Sequence, residues 1–310
     1  MAARLGALAL LVVLGCARVP YTNRSQLILV SPKDEAALGA RAFQQVVSKS
    51  RLDPNPGTNR AVQEVGQRLA AVANRPDFQW NFVVIDDDRQ VNAFCLPGGK
   101  VAVYTGILPV AQDQAGLAVV LGHEIAHAVA RHGAERMSQG KLAQLGGAAL
   151  AIGLGDSASS SAILAAYGLG AQYGILLPYG RTQESEADHI GLLLMAQAGY
   201  DPRVAIDFWQ RMEQTSRGGS PEFLSTHPSH GTRITQLRAW IPEAMRLYAA
   251  TAPCAERIAR TRRQREALIT SAREKNFARR KKFFSKMRAT LRRHDTITAL
   301  PLLAIYAEAR

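Results

Sequence analysis

The segment Leu117–His132, LAVVLGHEIAHAVARH, decides how the rest of the chain is interpreted, because it places three polar residues inside an apolar helical pattern. At about 100° per residue, His123 and His127 lie roughly 40° apart on one helix face, one turn above each other. Two imidazoles at this spacing can bind one metal ion. Glu124 points to the flank of that ion, where its carboxylate could accept a proton from a metal-bound water.

The alternative interpretation of this segment is a surface helix with two exposed histidines. It is disfavoured because apolar residues surround the polar ones, which indicates a buried helix. These apolar neighbours are Leu117, Val119, Val120, Leu121, Ile125, Ala126 and Val129.

A catalytic zinc ion usually has three protein ligands and one position for water, so the two histidines need a partner. Helical spacing puts Glu184 and Asp188 on one face and directs Glu186 and His189 elsewhere. A metal-binding Glu184, with Asp188 hydrogen-bonded to a ligand histidine, is chemically coherent. A solvated acidic helix face remains the alternative for this pair. The candidates for the third ligand are Glu184, Glu186, Asp188, His189, His227 and His230.

The remaining patterns predict an α+β fold that is predominantly helical, with one small sheet. A helix is expected over Asn59–Ala73, and the metal-binding helix from about Asp113 to about Gly133. His132 would then face away from His123 and stabilise the helix end. Alternation predicts a strand over Phe78–Ile85 and a hairpin built from Val91–Cys95 and Lys100–Tyr104.

A stretch rich in alanine, glycine and leucine, Leu142–Leu177, predicts two apolar helices joined by a turn at Asp156–Ser161. Each arm has about 14 to 17 residues, short of the roughly 20 that a membrane-spanning helix needs. We therefore expect a helical hairpin packed over the metal site and able to touch a membrane surface. A transmembrane hairpin is the alternative.

The N-terminus has the features of a secretory lipoprotein. Arg4 precedes an apolar run, Leu5–Leu14, which leads into Val13-Leu14-Gly15-Cys16, a lipobox-like ending. We expect Cys16 to carry a lipid in the bacterial periplasm, and Ala17 resembles the pattern that permits passage to the outer membrane. A simple secretory signal or an N-terminal anchor helix is the alternative. The three cysteines do not form a disulfide framework.

The net charge of +13 is concentrated at the C-terminus. Residues 1–254 contain 22 Lys and Arg against 20 Asp and Glu, whereas residues 255–310 contain 16 against 5. The body of the chain is therefore not a nucleic-acid binder on charge grounds. The segment Glu256–Arg293 could bind anionic lipid or lipopolysaccharide, and a disordered or out-of-frame extension is the alternative.

Several motifs in order resemble one peptidase family. HEIAH followed by AVARH, and ESEAD at Glu184–Asp188, are similar to the HtpX- and CaaX-prenyl-protease-like gluzincins, peptidase family M48. The segments Asn92–Gly99 and Ser225–Pro228, with Arg233-Ile234, also resemble that family's motifs. Within the family the resemblance is strongest to the periplasmic lipoprotein branch of LoiP- and BepA-like proteases.

The resemblance implies specific roles. His123, His127 and Glu184 would bind one zinc ion per chain, Glu124 would be the general base, and Asp188 would orient a ligand. His227 would either complete the zinc shell and silence the enzyme or assist the transition state, and His230 would do neither. A substrate polypeptide would add as a strand along the edge that contains Asn92, Ala93 and Phe94.

The expected function is that of a gluzincin-type zinc metalloendopeptidase that degrades misfolded or unassembled cell-envelope proteins. The alternative is a zinc-bearing, latently proteolytic chaperone or assembly factor for outer-membrane proteins. The expected organisation is a lipoprotein-type signal peptide at residues 1–15, a metallopeptidase domain at 16–250 and a basic tail at 251–310.

Overall fold

The computed structural model describes residues 16–154, 160–171, 177–215, 223–224, 227 and 231–251. The chain divides into two compact units, Met1–Thr251 and Ala252–Arg310, and all described residues belong to the first. The predicted signal peptide, residue 230 and the tail beyond Thr251 lie outside the described residues.

Helices make up most of the described fold, and two small sheets complete it, in agreement with the predicted α+β class. The strands are β1 (Cys16–Arg18), β2 (Ser25–Leu27), β3 (Asn81–Ile85), β4 (Ala93–Leu96) and β5 (Lys100–Tyr104). The helices are α1 (Pro32–Val47), α2 (Pro56–Val72), α3 (Leu108–Ala111), α4 (Gln114–Val129), α5 (His132–Leu154), α6 (Ser160–Ala171), α7 (Leu177–Gln197), α8 (Val204–Thr215) and α9 (Arg233–Thr251).

Side-chain caps fix where two of the early helices begin. The Asn55 side chain accepts a hydrogen bond from Gly57 N at 2.9 Å, and Pro56 occupies the first helical position, where its missing N–H costs nothing. Helix α2 therefore begins before the predicted start at Asn59. Asp113 Oδ1 accepts from Gly116 N at 2.8 Å and caps α4, so the predicted start of this helix near Asp113 is confirmed.

The larger sheet has β5 at its centre, with β3 parallel and β4 antiparallel to it. The β4–β5 turn passes through Gly98 and Gly99 at φ of +84° and +81°, a region that glycine enters without steric cost. The predicted hairpin is confirmed, whereas β3 begins at Asn81 and not at Phe78. In the described part of the chain β4 pairs on one side only, and it lies against α4.

Helix α4 is the centre of the core. All residues from Gly116 to Val129 are buried, and the helix packs against α2, α7 and β4. A helix that is apolar on every face belongs inside a protein, so the surface-helix interpretation is excluded.

The predicted C-terminus of this helix is wrong. Helix α4 ends at Val129, because Arg131 adopts a left-handed conformation at φ +60° and the chain restarts as α5 at His132. The Arg131 guanidinium donates to Glu35 Oε2 at 2.8 Å, in the first turn of α1, and to Val30 O at 3.0 Å, in the segment before α1. Tertiary contacts therefore override the helical pattern, and His132 does not point where a continuous helix would place it.

The apolar stretch Leu142–Leu177 contains the end of α5, all of α6 and the first residue of α7. Helices α5 and α6 contact each other, and Tyr167 Oη donates to Ala143 O at 3.1 Å. Leu145 and Ile152 on α5 are 65% and 85% exposed. The predicted turn at Asp156–Ser161 lies mostly outside the described residues. Within the described ranges no helix is both long and apolar enough to cross a bilayer.

Helices α4 and α7 approach each other at two glycines. A Cβ atom added to Gly122 would lie 2.9 Å from Gly191 O, and one added to Gly191 would lie 2.8 Å from His123 N. These distances are too short for a side chain, so the separation of the two helices requires glycine at both positions. Because His123 is at this contact, the glycines also set the distance between the histidines of α4 and the acidic residues of α7.

We expect Gly191→Ala to lower the free energy of unfolding by about 1–3 kcal/mol, because the added methyl group must push α7 away from α4. Urea denaturation measures the loss. The matched control is Gly180→Ala on the same helix, where the described residues leave more than 4 Å of space around an added Cβ. Equal stability of the two variants would contradict the close approach.

Candidate metal centre

Four buried side chains from three parts of the chain converge on one point. His123 and His127 come from α4, Glu184 from α7, and His227 follows α8, and their ligand-type atoms all lie within 4.8 Å of one another. The His127 and His123 Nε2 atoms are 3.1 Å apart. Glu184 Oε2 lies 3.3 Å from His123 Nε2, and its Oε1 lies 3.3 Å from His127 Nε2. The structure therefore brings together the residues predicted as ligands.

The outer nitrogen of His123 contacts Asp188, as the sequence analysis anticipates for this pair. His123 Nδ1 lies 2.9 Å from Asp188 Oδ1. Asp188 Oδ2 in turn accepts from Arg233 Nε at 2.6 Å, and Arg233 Nη2 donates to Glu184 Oε2 at 3.3 Å. Arg233 also stacks over the Trp209 ring at 3.8 Å. A single buried guanidinium thus bridges both acidic residues of the α7 face.

The outer nitrogen of His127 has a partner that the sequence analysis missed. His132 Nδ1 lies 2.8 Å from His127 Nδ1, and His132 Nε2 lies 3.0 Å from Glu186 Oε2. Arg24 Nε donates to the same Glu186 oxygen at 2.9 Å. The helix break at Arg131 turns His132 toward the site. The sequence carries no local signal for this contact, because His132 follows Arg131 and Glu186 follows a run of polar residues, Thr182–Ser185.

Glu124 lies beside the cluster and not in it. Its Oε1 is 3.4 Å from His227 Nε2 and, among the described residues, has no hydrogen-bond partner. Burial raises the pKa of Glu124, while the nearby His227 and His123 and the backbone N–H of Cys95 act in the opposite direction. A carboxylate with a raised pKa and an available oxygen is suited to accept a proton.

The clustered groups have pKa values that shift in different directions. Burial lowers the pKa of His123, but hydrogen bonds to Asp188 and Glu184 outweigh it and raise that pKa to about 10. Burial lowers the pKa of His127 well below its usual value. Burial opposes ionisation of Glu184, yet the neighbouring histidines hold its pKa far below its usual range. Glu184 is therefore an ionised carboxylate facing imidazole nitrogens.

This arrangement fits a zinc ion. His123 Nδ1 and His127 Nδ1 each face an outer partner, so both Nε2 atoms point inward toward Glu184. Two imidazoles and one carboxylate form a ligand set that catalytic zinc sites use, and outer partners of this kind fix the ligand orientation. The cluster could therefore hold one metal ion.

The remaining predicted residues lie at the edges of the site or outside it. His189 stacks on Trp240 and bonds to Glu243 at 2.9 Å, away from the cluster. Ala93 and Phe94 lie in the edge strand β4, and Asn92 precedes it, with its carbonyl accepting from Tyr104 N at 3.1 Å. His230 is outside the described residues.

The sequence profile of peptidase family M48 matches residues 56–241, more than half of the chain. The chain belongs to peptidase family M48. This is a family of zinc metalloendopeptidases, so the enzyme class expected from the sequence is confirmed. All four residues of the cluster, and Glu124 with them, fall within the matched segment.

The chain is 40% identical to the mitochondrial metalloendopeptidase OMA1 of Schizosaccharomyces pombe over 231 residues, which cover 73% of this chain and 66% of that protein. It is 35% identical to the mitochondrial metalloendopeptidase OMA1 of Homo sapiens over 243 residues, which cover 74% of this chain and 46% of the relative. It is 31% identical to the beta-barrel assembly-enhancing protease of Yersinia pestis over 227 residues, which cover 71% and 46%.

These relatives support the family resemblance and only part of its finer detail. The chain spans less than two thirds of the S. pombe protein's length by a narrow margin, and about half of the human and Yersinia proteins. The Yersinia relative belongs with the expected BepA-like branch. The S. pombe and human relatives are mitochondrial and are more similar to this chain in sequence identity than the Yersinia relative is. A resemblance to the periplasmic branch did not predict this.

We expect Arg233→Met to destabilise the metal-free chain by about 3–5 kcal/mol, because two buried carboxylates lose their shared cation. The loss should be smaller with zinc, since a bound cation compensates the charge of Glu184. Urea denaturation with a chelator and with zinc measures both values.

The matched control for this change is Arg203→Met, because Arg203 pairs with Asp201 while its side chain is 65% exposed. An exposed pair contributes at most about 1 kcal/mol. Equal losses for Arg233→Met and Arg203→Met, or a loss at Arg233 that zinc does not reduce, would contradict the proposed bridging role.

Proposed function

We propose that this chain hydrolyses internal peptide bonds of polypeptides, with one zinc ion bound by His123, His127 and Glu184. The observation that carries the proposal is the convergence of these three side chains beside the available carboxylate of Glu124, in a chain of peptidase family M48. Zinc, when bound, acts as a Lewis acid that lowers the pKa of a water molecule toward about 7 and polarises a carbonyl group.

The residues around this site have separate roles in proton transfer and in holding the ligands. Glu124 accepts a proton from the attacking water and then donates it to the leaving amine, a role that its raised pKa favours. Asp188 and His132 hold the outer nitrogens of the two histidines. Arg233 keeps Asp188 and Glu184 in place.

His227 supports a resting state that must open before catalysis. Its Nδ1 lies 3.1 Å from Glu184 Oε1 and 3.3 Å from His123 Nε2, while its Nε2 faces Glu124. In this position the ring fills the space between the ligand atoms and the general base, where water and a substrate carbonyl have to enter. We therefore assign His227 as an inhibitory fourth ligand, and this observation favours the latently proteolytic assembly factor as the second candidate function.

The central test compares wild type with Glu124→Gln and His227→Ala for zinc content and for cleavage of unfolded casein. Glu124→Gln should keep stoichiometric zinc and lose cleavage by a factor of about 10² or more, because the proton acceptor is gone. His227→Ala should cleave faster than wild type, since the space beside Glu124 becomes open.

The matched control is Glu243→Gln on α9, since Glu243 also contacts a histidine but lies away from the cluster. Cleavage that survives in Glu124→Gln would contradict the peptidase mechanism. Zinc without cleavage in both wild type and His227→Ala, with chaperone activity intact in Glu124→Gln, would favour the assembly factor.

Among the described residues β4 has no strand partner on the side opposite β5, and this edge is suited to bind a substrate as an added strand. Tyr104 N bonds to Asn92 O, so in the antiparallel ladder Phe94 and Leu96 also point their backbone groups toward β5. The N–H and C=O groups of Ala93 and Cys95 therefore point away from β5, next to α4. The Ala93 N–H bonds to Asn92 Oδ1 at 2.9 Å and the Cys95 N–H contacts Glu124, so a substrate strand would replace these two partners. Recognition through these groups would be loosely selective for sequence.

This mode predicts a response to N-methylation of the substrate backbone. In a series of peptides that each carry one N-methyl group at a different position, methylation should lower kcat/KM at every second position and leave it unchanged at the positions between. The reason is that only every second N–H of an added strand faces β4. Each lost hydrogen bond should lower kcat/KM by up to about tenfold, the equivalent of roughly 0.5–1.5 kcal/mol. A uniform effect at every position, measured with otherwise identical peptides, would contradict strand addition.

We further propose that the substrates are misfolded or unassembled cell-envelope proteins and that the chain is lipid-anchored at Cys16 in the bacterial periplasm, at the outer membrane. The lipobox-like Val13–Cys16 and the name of the Yersinia relative support this location. The names of the mitochondrial relatives favour a different compartment. The basic tail would bind anionic lipid or lipopolysaccharide.

In cells given labelled palmitate, a chain truncated after Thr251, which lacks the basic tail, should incorporate the label and remain with the membrane fraction, whereas its Cys16→Ser variant should lose both properties. Cys95→Ser is the matched control, because Cys95 is a free cysteine within the folded unit. Membrane retention of Cys16→Ser without label would contradict anchoring through this residue.

A further inference from the structure

A buried polar chain connects the N-terminal β-hairpin to His127. It runs from His127 Nδ1 to His132 Nδ1 at 2.8 Å, and from His132 Nε2 to Glu186 Oε2 at 3.0 Å. Glu186 Oε1 accepts from Thr22 Oγ1, and Glu186 Oε2 accepts from Arg24 Nε at 2.9 Å. Thr22 and Arg24 belong to the connection between β1 and β2, so an element far from α4 in sequence reaches its metal-binding face.

Zinc binding by His127 would determine which atoms of this hydrogen-bonded series donate and which accept. If His127 binds through Nε2, the neutral ring carries its proton on Nδ1 and donates it to His132 Nδ1. His132 must then carry its own proton on Nε2, which donates to Glu186. Glu186 accepts this bond together with those from Thr22 and Arg24. The contacts therefore select a single tautomer for both histidines.

The surroundings leave His132 little freedom to do anything else. Its side chain is fully buried, and Glu186 is 6% exposed. Arg24 bridges Glu186 to Glu135, with Nη1 2.7 Å from Glu135 Oε1, and Gln183 Nε2 donates to Glu135 Oε2 at 2.8 Å. Arg24 of the hairpin, itself held by Glu135 of α5, thus fixes Glu186. Glu186 in turn fixes the position of His132.

We propose that His132 is a positioning residue that orients His127 for zinc, and that Arg24, by fixing Glu186, couples the N-terminal hairpin to the affinity of that site. The inference rests on the proposed zinc ligation by His127. Groups that orient a metal ligand in this way typically change metal affinity by about 10- to 100-fold when they are removed.

Two variants of His132 separate orientation from mere packing. The amide oxygen of His132→Asn lies about where Nδ1 is and can still accept from His127, whereas the amide nitrogen of His132→Gln lies nearer to Nε2 and serves Glu186. Competition of the full chain with a chromophoric zinc chelator measures affinity, and melting of the metal-free chain measures stability. We expect zinc affinity to fall about 10- to 100-fold in His132→Gln and less in His132→Asn.

A parallel comparison tests the hairpin. Arg24→Gln should weaken zinc binding, whereas Arg18→Gln in the same hairpin should not. The Arg18 guanidinium donates to Asn23 O and is not part of the hydrogen bonds that link Arg24 to His127. In a His132→Gln background Arg24→Gln should have little further effect, since the connection is already broken. If the His132 variants do not fold, the comparison of Arg24→Gln with Arg18→Gln decides by itself.

Zinc affinity equal to wild type in His132→Gln, with only a lower melting temperature, would overturn the inference. Equal affinity in Arg24→Gln and Arg18→Gln, or additive effects of Arg24→Gln and His132→Gln, would overturn the coupling. A wild-type chain that binds no zinc would instead overturn the proposed function, so the two failures are distinguishable.

Discussion

Burial of a carboxylate and three imidazoles between α4, α7 and the segment after α8 is the constraint on which the rest of this structure depends. Such groups lose favourable hydration, and they are stable inside a protein only when each is paired. The two glycines, Gly122 and Gly191, bring the helices close enough for Glu184 to reach both histidines. Asp188, Arg233 and His132 then provide the compensating contacts around the cluster.

These contacts divide the site into an inner and an outer layer. The inner layer presents two imidazole Nε2 atoms and Glu184 to a common point, with Glu124 on one side. The outer layer fixes ring orientation through one carboxylate, Asp188, and through a second histidine, His132. The hydrogen bonds to His123 and to His127 thus come from chemically different partners. This asymmetry links α4 to α9 through Arg233, and to the N-terminal hairpin through Glu186 and Arg24.

Local periodicity predicted that His123 and His127 share a metal-binding face and that Glu184 and Asp188 share another, and the family resemblance then selected Glu184 as the ligand and Asp188 as its outer partner. The i, i+4 spacing of His123 and His127, and that of Glu184 and Asp188, reflects helix geometry that does not depend on the rest of the fold. The role of His132 could not be predicted in this way. It depends on the break at Arg131, which is set by contacts with Glu35 and Val30, and single-sequence patterns do not contain such distant contacts. The same reason applies to Arg24.

The family match covers the inner layer and much of the outer one but not the N-terminal hairpin, since it begins at residue 56. Anomalous diffraction at the zinc edge, from crystals of the full chain grown with zinc, tests this metal centre most directly. We expect one ion per chain, about 2.0–2.2 Å from His123 Nε2, His127 Nε2 and a Glu184 oxygen. No ion in this cluster, or an ion that His123 and His127 do not bind, would contradict it.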